Sequence, residues 1–240
     1  MVAKWNRQDY SLDIFLPISC VIASIKLSNF QSYCLCIIGT LNLSYNQLNG
    51  SLANQFQTMS QLESINLDFN QFEGTLDEIL NCGNCTNTLT AFSAIGNPLS
   101  GDIPARLFDF SMLSSFSVSK SKLNGTIPAD FGRLTALSYL DLRENYYFSN
   151  ETVLPSEIGR LTNLKTLTVS NSVVFGEVPA EFSNMSSLEF LGIARTSQTG
   201  SIPNTVCAID TLKTIQYSSG VNCLCPGNIC ELVTEHTISY

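Results

Sequence analysis

Residues 116–137 read Phe116-Ser-Val118-Ser-Lys120-Ser121-Lys-Leu123-Asn124-Gly125-Thr-Ile127-Pro128-Ala-Asp130-Phe131-Gly-Arg-Leu134-Thr-Ala-Leu137. The opening residues alternate apolar and polar, the period of a short strand with one buried face, so Phe116 and Val118 point inward while Ser117 and Ser119 point out. The same sentence recurs along the chain. Its opening pairs are Leu41/Leu43, Ile65/Leu67, Phe92/Ala94, Phe116/Val118, Leu140/Leu142, Leu167/Val169 and Leu191/Ile193, and Ile215 begins an eighth turn. The step is 24 residues except after Ile65 and Leu140, where it is 27. A period held this tightly means a solenoid, in which each repeat needs its neighbours to bury its apolar side. Function is then sought on a surface rather than in a pocket.

Three further positions give each repeat its course. The sixth residue is Asn46, Asn70, Asn97, Ser121, Asn145, Ser172 or Thr196, always a short side chain able to bond nearby backbone that would otherwise be buried unpaired. Gly50, Gly74, Gly101, Gly125, Gly176 and Gly200 stand tenth, where a positive φ or a close approach is expected. Ile103-Pro104, Ile127-Pro128, Leu154-Pro155, Val178-Pro179 and Ile202-Pro203 place proline at the first position of a short helical return, where its missing N–H costs nothing. Each repeat reads strand, tight turn, short return.

The pattern L-x-L-x-x-N-x-L-x-G-x-I-P followed by x-x-[LF]-x-x-[LM]-x-x-L resembles the plant-type leucine-rich repeat over residues 41 to 215. The resemblance implies an α/β repeat solenoid, curved, with a parallel β-sheet on the concave face and short 3-10 or helical turns on the convex side. Such arrays occur in receptor-like kinases, receptor-like proteins and secreted inhibitors of land plants, and the cysteine-rich end is similar to algal and diatom versions. Residues 41–214 form seven repeats, 1–40 an irregular amino-terminal segment, and 215–240 a cysteine-containing cap and tail. Repeats one and two lack the proline, repeat five lacks the glycine, and the family's amino-terminal cap is not recognisable.

Composition narrows the partner. The 240 residues carry net charge −8 with scattered Lys and Arg, which argues against nucleic acid. Nine cysteines and six Asn-x-Ser/Thr sequons, at Asn42, Asn49, Asn84, Asn124, Asn150 and Asn184, point to the secretory pathway and an extracellular or cell-surface location. The apolar stretch 14–25 has signal-peptide length but mixed charges before it, and Ile25-Lys-Leu27 reads alternatively as the strand of a degenerate first repeat. No stretch has the roughly 20 uninterrupted apolar residues of a membrane span.

A solenoid end needs a cap, and Cys207, Cys223, Cys225 and Cys230 stand where the pattern stops. Two disulfides in any of three pairings are open, with a zinc site as the alternative. The three extra residues of repeat two lie on its return side and include Cys82-Gly-Asn-Cys85, read as a local disulfide rather than a thioredoxin-like redox motif, because no βαβ context accompanies it. In repeat five the extension follows the strand and carries Tyr146, Tyr147 and Phe148. These serve either as binding aromatics or as core substitutes for the missing leucine and glycine.

Outward-facing strand residues make contiguous stripes, since parallel strands stand roughly 5 Å apart. Tyr45 and Phe69 are expected to stack at one end, Lys120, Asp141, Arg143 and Glu144 to form a solvated charged middle with carboxylates of ordinary acidity, and Arg195 to lie near the far end. With one histidine, His236, beyond the array, and no phosphate loop, paired metal motif or kinase signature, enzyme and cofactor readings fail. The expectation is a non-enzymatic recognition module for a protein, peptide or glycan partner, with a possible co-receptor. The alternatives are the ectodomain fragment of a leucine-rich-repeat receptor, or a ligand-free structural protein of the cell surface.

Overall fold

The computed structural model describes residues 11–13, 39–57 and 59–234. Ten parallel strands form one sheet in chain order: Ser11–Asp13, Thr40–Asn42, Ser64–Asn66, Ala91–Ser93, Ser115–Ser117, Tyr139–Asp141, Thr166–Thr168, Phe190–Gly192, Thr214–Tyr217 and Cys230–Leu232. The register places Leu41, Ile65, Phe92, Phe116, Leu140, Leu167, Leu191 and Ile215 in a single row, as the sequence period requires. That row, the second row from Leu43 to Ile193 and the return-side leucines are all buried in one continuous core. At the amino-terminal end Ser11–Asp13 pairs with Thr40–Asn42. The expected strand Ile25-Lys-Leu27, the apolar stretch 14–25 and His236 lie outside the described residues.

The returns run on the opposite side as 3-10 turns at Ala105–Asp109, Ala129–Arg133, Ser156–Arg160 and Ala180–Asn184. Proline sits one residue earlier than the sequence reading placed it. Pro104, Pro128, Pro155 and Pro179 are extended caps, with ψ between 136° and 148°, and their carbonyls accept the first turn hydrogen bond, as in Leu107 N–H to Pro104 at 3.0 Å. Repeat two lacks proline, and a Thr75/Glu78 capping box starts the helix Leu76–Ile79 there instead. The turns stack closely: a Cβ at Gly132 or Gly159 would stand 2.5 Å or 2.3 Å from the carbonyl oxygen of Glu157 or Glu181. The tenth-position glycines all have positive φ, from 66° at Gly125 to 101° at Gly74.

Side chains at the sixth position close the backbone ledger inside the coils. The Asn145 amide donates to the carbonyls of Val118 and Leu142, both at 3.0 Å, and its Oδ1 accepts from Leu123 N–H at 3.3 Å. Asn70 and Asn97 do the same in their coils. Ser172 accepts from Asn145 N–H and donates to Leu142, whereas buried Ser121 has no partner for its hydroxyl among the described residues. Cys82 pairs with Cys85, Cys207 with Cys225 and Cys223 with Cys230. The zinc alternative at the cap is thereby answered, because the sulfurs of Cys223, Cys225 and Cys230 are consumed in disulfides. Cys20, Cys34 and Cys36 lie outside the described residues.

Candidate functional site

The fifth residue of every repeat has left-handed backbone: Tyr45, Phe69, Gly96, Lys120, Glu144, Asn171 and Arg195 have φ of 56°, 52°, 68°, 54°, 58°, 57° and 55°. The first six donate their N–H to the carbonyl of the fourth residue of the next coil, from Tyr45 to Asp68 at 2.8 Å through Asn171 to Ala194 at 2.9 Å, and Arg195 N–H donates instead to Ser218 Oγ at 2.6 Å. The turn thus delivers six side chains, with a gap at Gly96, into one column along the rim of the sheet. The sequence reading placed these residues among the outward stripes but missed their common conformation. Gly96 and Asn171, two residue types that tolerate positive φ, were the available signal.

Tyr45 and Phe69 stack as expected, with ring centroids 4.8 Å apart and 24° between planes. In the middle, Lys120 pairs with Glu144 at 3.7 Å and Arg143 with Asp141 at 3.1 Å. Asp141 corrects the sequence reading. It was placed on the sheet surface as a solvated carboxylate, yet its side chain is 0 % exposed. Arg143, two residues along the chain, and Ser117, its register partner on the neighbouring strand, close over it: Arg143 N–H and Ser117 Oγ donate to its oxygens at 3.1 and 3.4 Å. Burial raises its pKa above the ordinary carboxylate value, and the hydrogen bond from the Arg143 backbone and the Arg143 charge oppose this only in part. Tyr139 is likewise raised by burial and by Asp141 beside it. Tyr139 and Phe190 precede the apolar pair in their repeats and face the same side. The sequence reading began each stripe one residue too late to include them.

The repeat-five loop resolves into an anchor and a display. Phe148 is 3 % exposed and lies in the core, where its neighbours carry Leu123 and Val174, so it is removed from the list of contact aromatics. The extra residue before it pushes Tyr147 outward, and Tyr146 and Tyr147 are 59 % and 61 % exposed. Ser149 N–H and Thr152 Oγ1 both bond to the Gly125 carbonyl, at 2.8 and 3.1 Å, and Phe175 N–H bonds to Thr152 at 2.8 Å, so the loop is built into the wall of the solenoid. Partial burial and nearby Glu144 raise the Tyr146 phenol, while Arg195 opposes the shift. Arg195 reaches Asn171 Oδ1 at 3.5 Å and the Thr234 carbonyl at 3.3 Å. The centre of the surface therefore carries internally compensated charge beside two fixed exposed phenols.

The sequons divide by face. Asn49, Asn84, Asn124, Asn150 and Asn184 are exposed and lie off the main sheet, while Asn42 stands in it with Oδ1 accepting from both Ser44 N–H and Ser44 Oγ. Among the described residues no helix is long and apolar enough to cross a membrane.

Comparison with known proteins agrees with this architecture. The Leucine Rich Repeat family model matches residues 38–59. Receptor-like protein 39 of Arabidopsis thaliana is 29 % identical over 188 residues, which are 77 % of this chain and 20 % of that protein. Receptor-like protein 6 of the same plant is 30 % identical over 212 residues, 85 % of this chain and 18 % of that one. The solved leucine-rich-repeat ectodomain of the Arabidopsis receptor kinase HAESA, in complex with an extended IDA peptide hormone, superposes with TM-score 0.69 at 32 % identity, covering 77 % of this chain and 32 % of that one. The chain spans about a fifth of the length of these curated relatives.

Proposed function

The chain is a leucine-rich-repeat solenoid of the plant receptor-like type, and we propose that it is a non-enzymatic, extracellular recognition module that seats a peptide or protein segment along its concave sheet, against the repeat-five loop. The observation that carries this is the loop itself. Tyr146 and Tyr147 are exposed on a segment pinned by Phe148, Ser149 and Thr152, so the backbone that carries them is already ordered by folding, and aromatics on an ordered loop make efficient contact points. The paired charges at Arg143/Asp141 and Lys120/Glu144 beside them favour a partner read by shape and hydrogen bonding over a polyanion. The HAESA ectodomain was solved with a peptide hormone ligand, which supports the peptide reading here by analogy. The second reading, the ectodomain portion of a signalling receptor, is supported by the receptor-like character of these relatives.

The experiment is selection of a displayed random-peptide library on the full chain, followed by titration of enriched peptides against Tyr146→Ala, Tyr147→Ala and Arg143→Ala. Loss of at least tenfold in affinity for one of these supports the site. Peptides that bind all three variants like the parent chain place recognition elsewhere. Location is tested separately by thiol labelling of the native protein: a largely reduced set of cysteines with no attached glycan contradicts the extracellular assignment.

A further inference from the structure

The stacked pair Tyr45/Phe69 has no part in the repeat-five site. Every repeat takes left-handed backbone at this register, Lys120, Glu144 and Arg195 as well as Gly96 and Asn171, so the turn imposes the conformation and side-chain chemistry alone sets the pair apart. Two rings stack there at the surface, Tyr45 76 % exposed and Phe69 39 % exposed, and an exposed apolar patch of this kind marks a contact surface. Gly96 completes the arrangement, since a Cβ there would lie 3.0 Å from the Phe69 ring; the glycine leaves the ring its place.

The surroundings indicate what such a pair would hold. Across the strands and turns of repeats one to three (40–46, 64–70 and 91–97) there is no Lys or Arg, and Asp68 is the only charge. The other outward positions are amides and hydroxyls, apart from Ala91 and Ile95. Asn42 and Asn66 are oriented by hydrogen bonds to Ser44 and Asp68 N–H, and Asp68 Oδ1 accepts from Ser93 Oγ at 2.6 Å and Ile95 N–H at 2.8 Å. Among the described residues of these three coils an anionic ligand has no cation to meet. An apolar peptide side chain would remain in water on rings exposed to this extent, with no wall to desolvate it. A flat, uncharged molecule with polar edges and apolar faces suits the site. Pyranoses whose hydroxyls are all equatorial have that shape, because their axial C–H bonds meet the electron-rich face of an aromatic ring while their hydroxyls reach the rim.

We propose that Tyr45 and Phe69 form a stacking platform for a neutral, equatorially substituted oligosaccharide, a subsite distinct from the repeat-five loop and independent of the peptide reading. The test is saturation-transfer NMR and titration of the full chain with cellotetraose, with tetragalacturonate and an oligoproline peptide as contrasts. Tyr45→Asn and Phe69→Asn remove the rings and retain a residue suited to positive φ, so both variants remain folded by circular dichroism. The expected result is transfer concentrated on the axial protons of cellotetraose, affinity reduced at least tenfold in either variant and unchanged in Tyr147→Ala. No transfer to cellotetraose in the parent chain overturns the proposal, as does equal affinity in the asparagine variants. Preferential binding of oligoproline at this pair would assign it to a peptide instead, and preferential binding of tetragalacturonate would refute the charge argument.

Discussion

Asn145→Ala isolates what the sixth position contributes. The side chain is fully buried and serves two carbonyls at 3.0 Å and one N–H at 3.3 Å, with a longer contact to Arg143 at 3.4 Å. Truncation leaves the Val118 carbonyl and the Leu123 N–H without partners, while the Leu142 carbonyl keeps the Ser172 hydroxyl at 3.1 Å; each such loss costs about 1–1.5 kcal/mol, giving roughly 2–3 kcal/mol in all. Ser121→Ala is the internal control. It occupies the same register one repeat earlier, is equally enclosed, and its hydroxyl has no partner among the described residues, so its removal should change stability by less than about 0.5 kcal/mol. Urea denaturation followed by far-ultraviolet circular dichroism, with both variants beside the parent chain, measures the difference. If Asn145→Ala lies within about 0.5 kcal/mol of the parent, or Ser121→Ala is just as damaging, the account of sixth-position side chains as backbone partners is refuted.

Further outcomes follow from the same structure. Leu140→Ala and Leu164→Ala, both at 0 % exposure, should each cost about 2–5 kcal/mol in the same assay. Phe148→Ala should lower stability by about 3–5 kcal/mol while Tyr147→Ala changes it by less than about 0.5, a contrast measurable by thermal melting. Asp141 is held above its ordinary acidity value of 3.8, so the folded state binds its proton more tightly than the unfolded chain. Its stabilising contribution is complete below that ordinary value and is lost as pH rises through the raised one. The stability of Asp141→Asn relative to the parent should therefore climb as pH rises above 3.8, and a pH-independent difference would contradict the burial argument. Cys207→Ser should destabilise more than Cys82→Ser, because the bridges close loops with sequence separations of 18 and 3, and equal losses in melting temperature would rule this out.

The repeat was legible because its constraints are local and recur. Apolar residues at the first and third positions, a short polar residue at the sixth and glycine at the tenth each answer a demand made within one coil, and the observed register aligns Leu41 through Ile215 as their spacing required. The stacking of Tyr45 on Phe69 followed from the same alignment. Residue type and period thus determined the solenoid, its direction of stacking, its buried rows and the face on which recognition would lie. Three matters depended on neighbours in space. Whether Asp141 was solvated turned on how closely Arg143 and Ser117 lie over it, which no residue of the strand announces. Which of three adjacent aromatics entered the core turned on where the inserted residues left the chain relative to Gly125 and Phe175. The pairing of four cap cysteines turned on the path from Cys207 to Cys230, for which spacing allows three solutions and folding permits one. Periodic demands are written into the sequence once per coil; charge burial, loop anchorage and disulfide choice are settled by distances between coils.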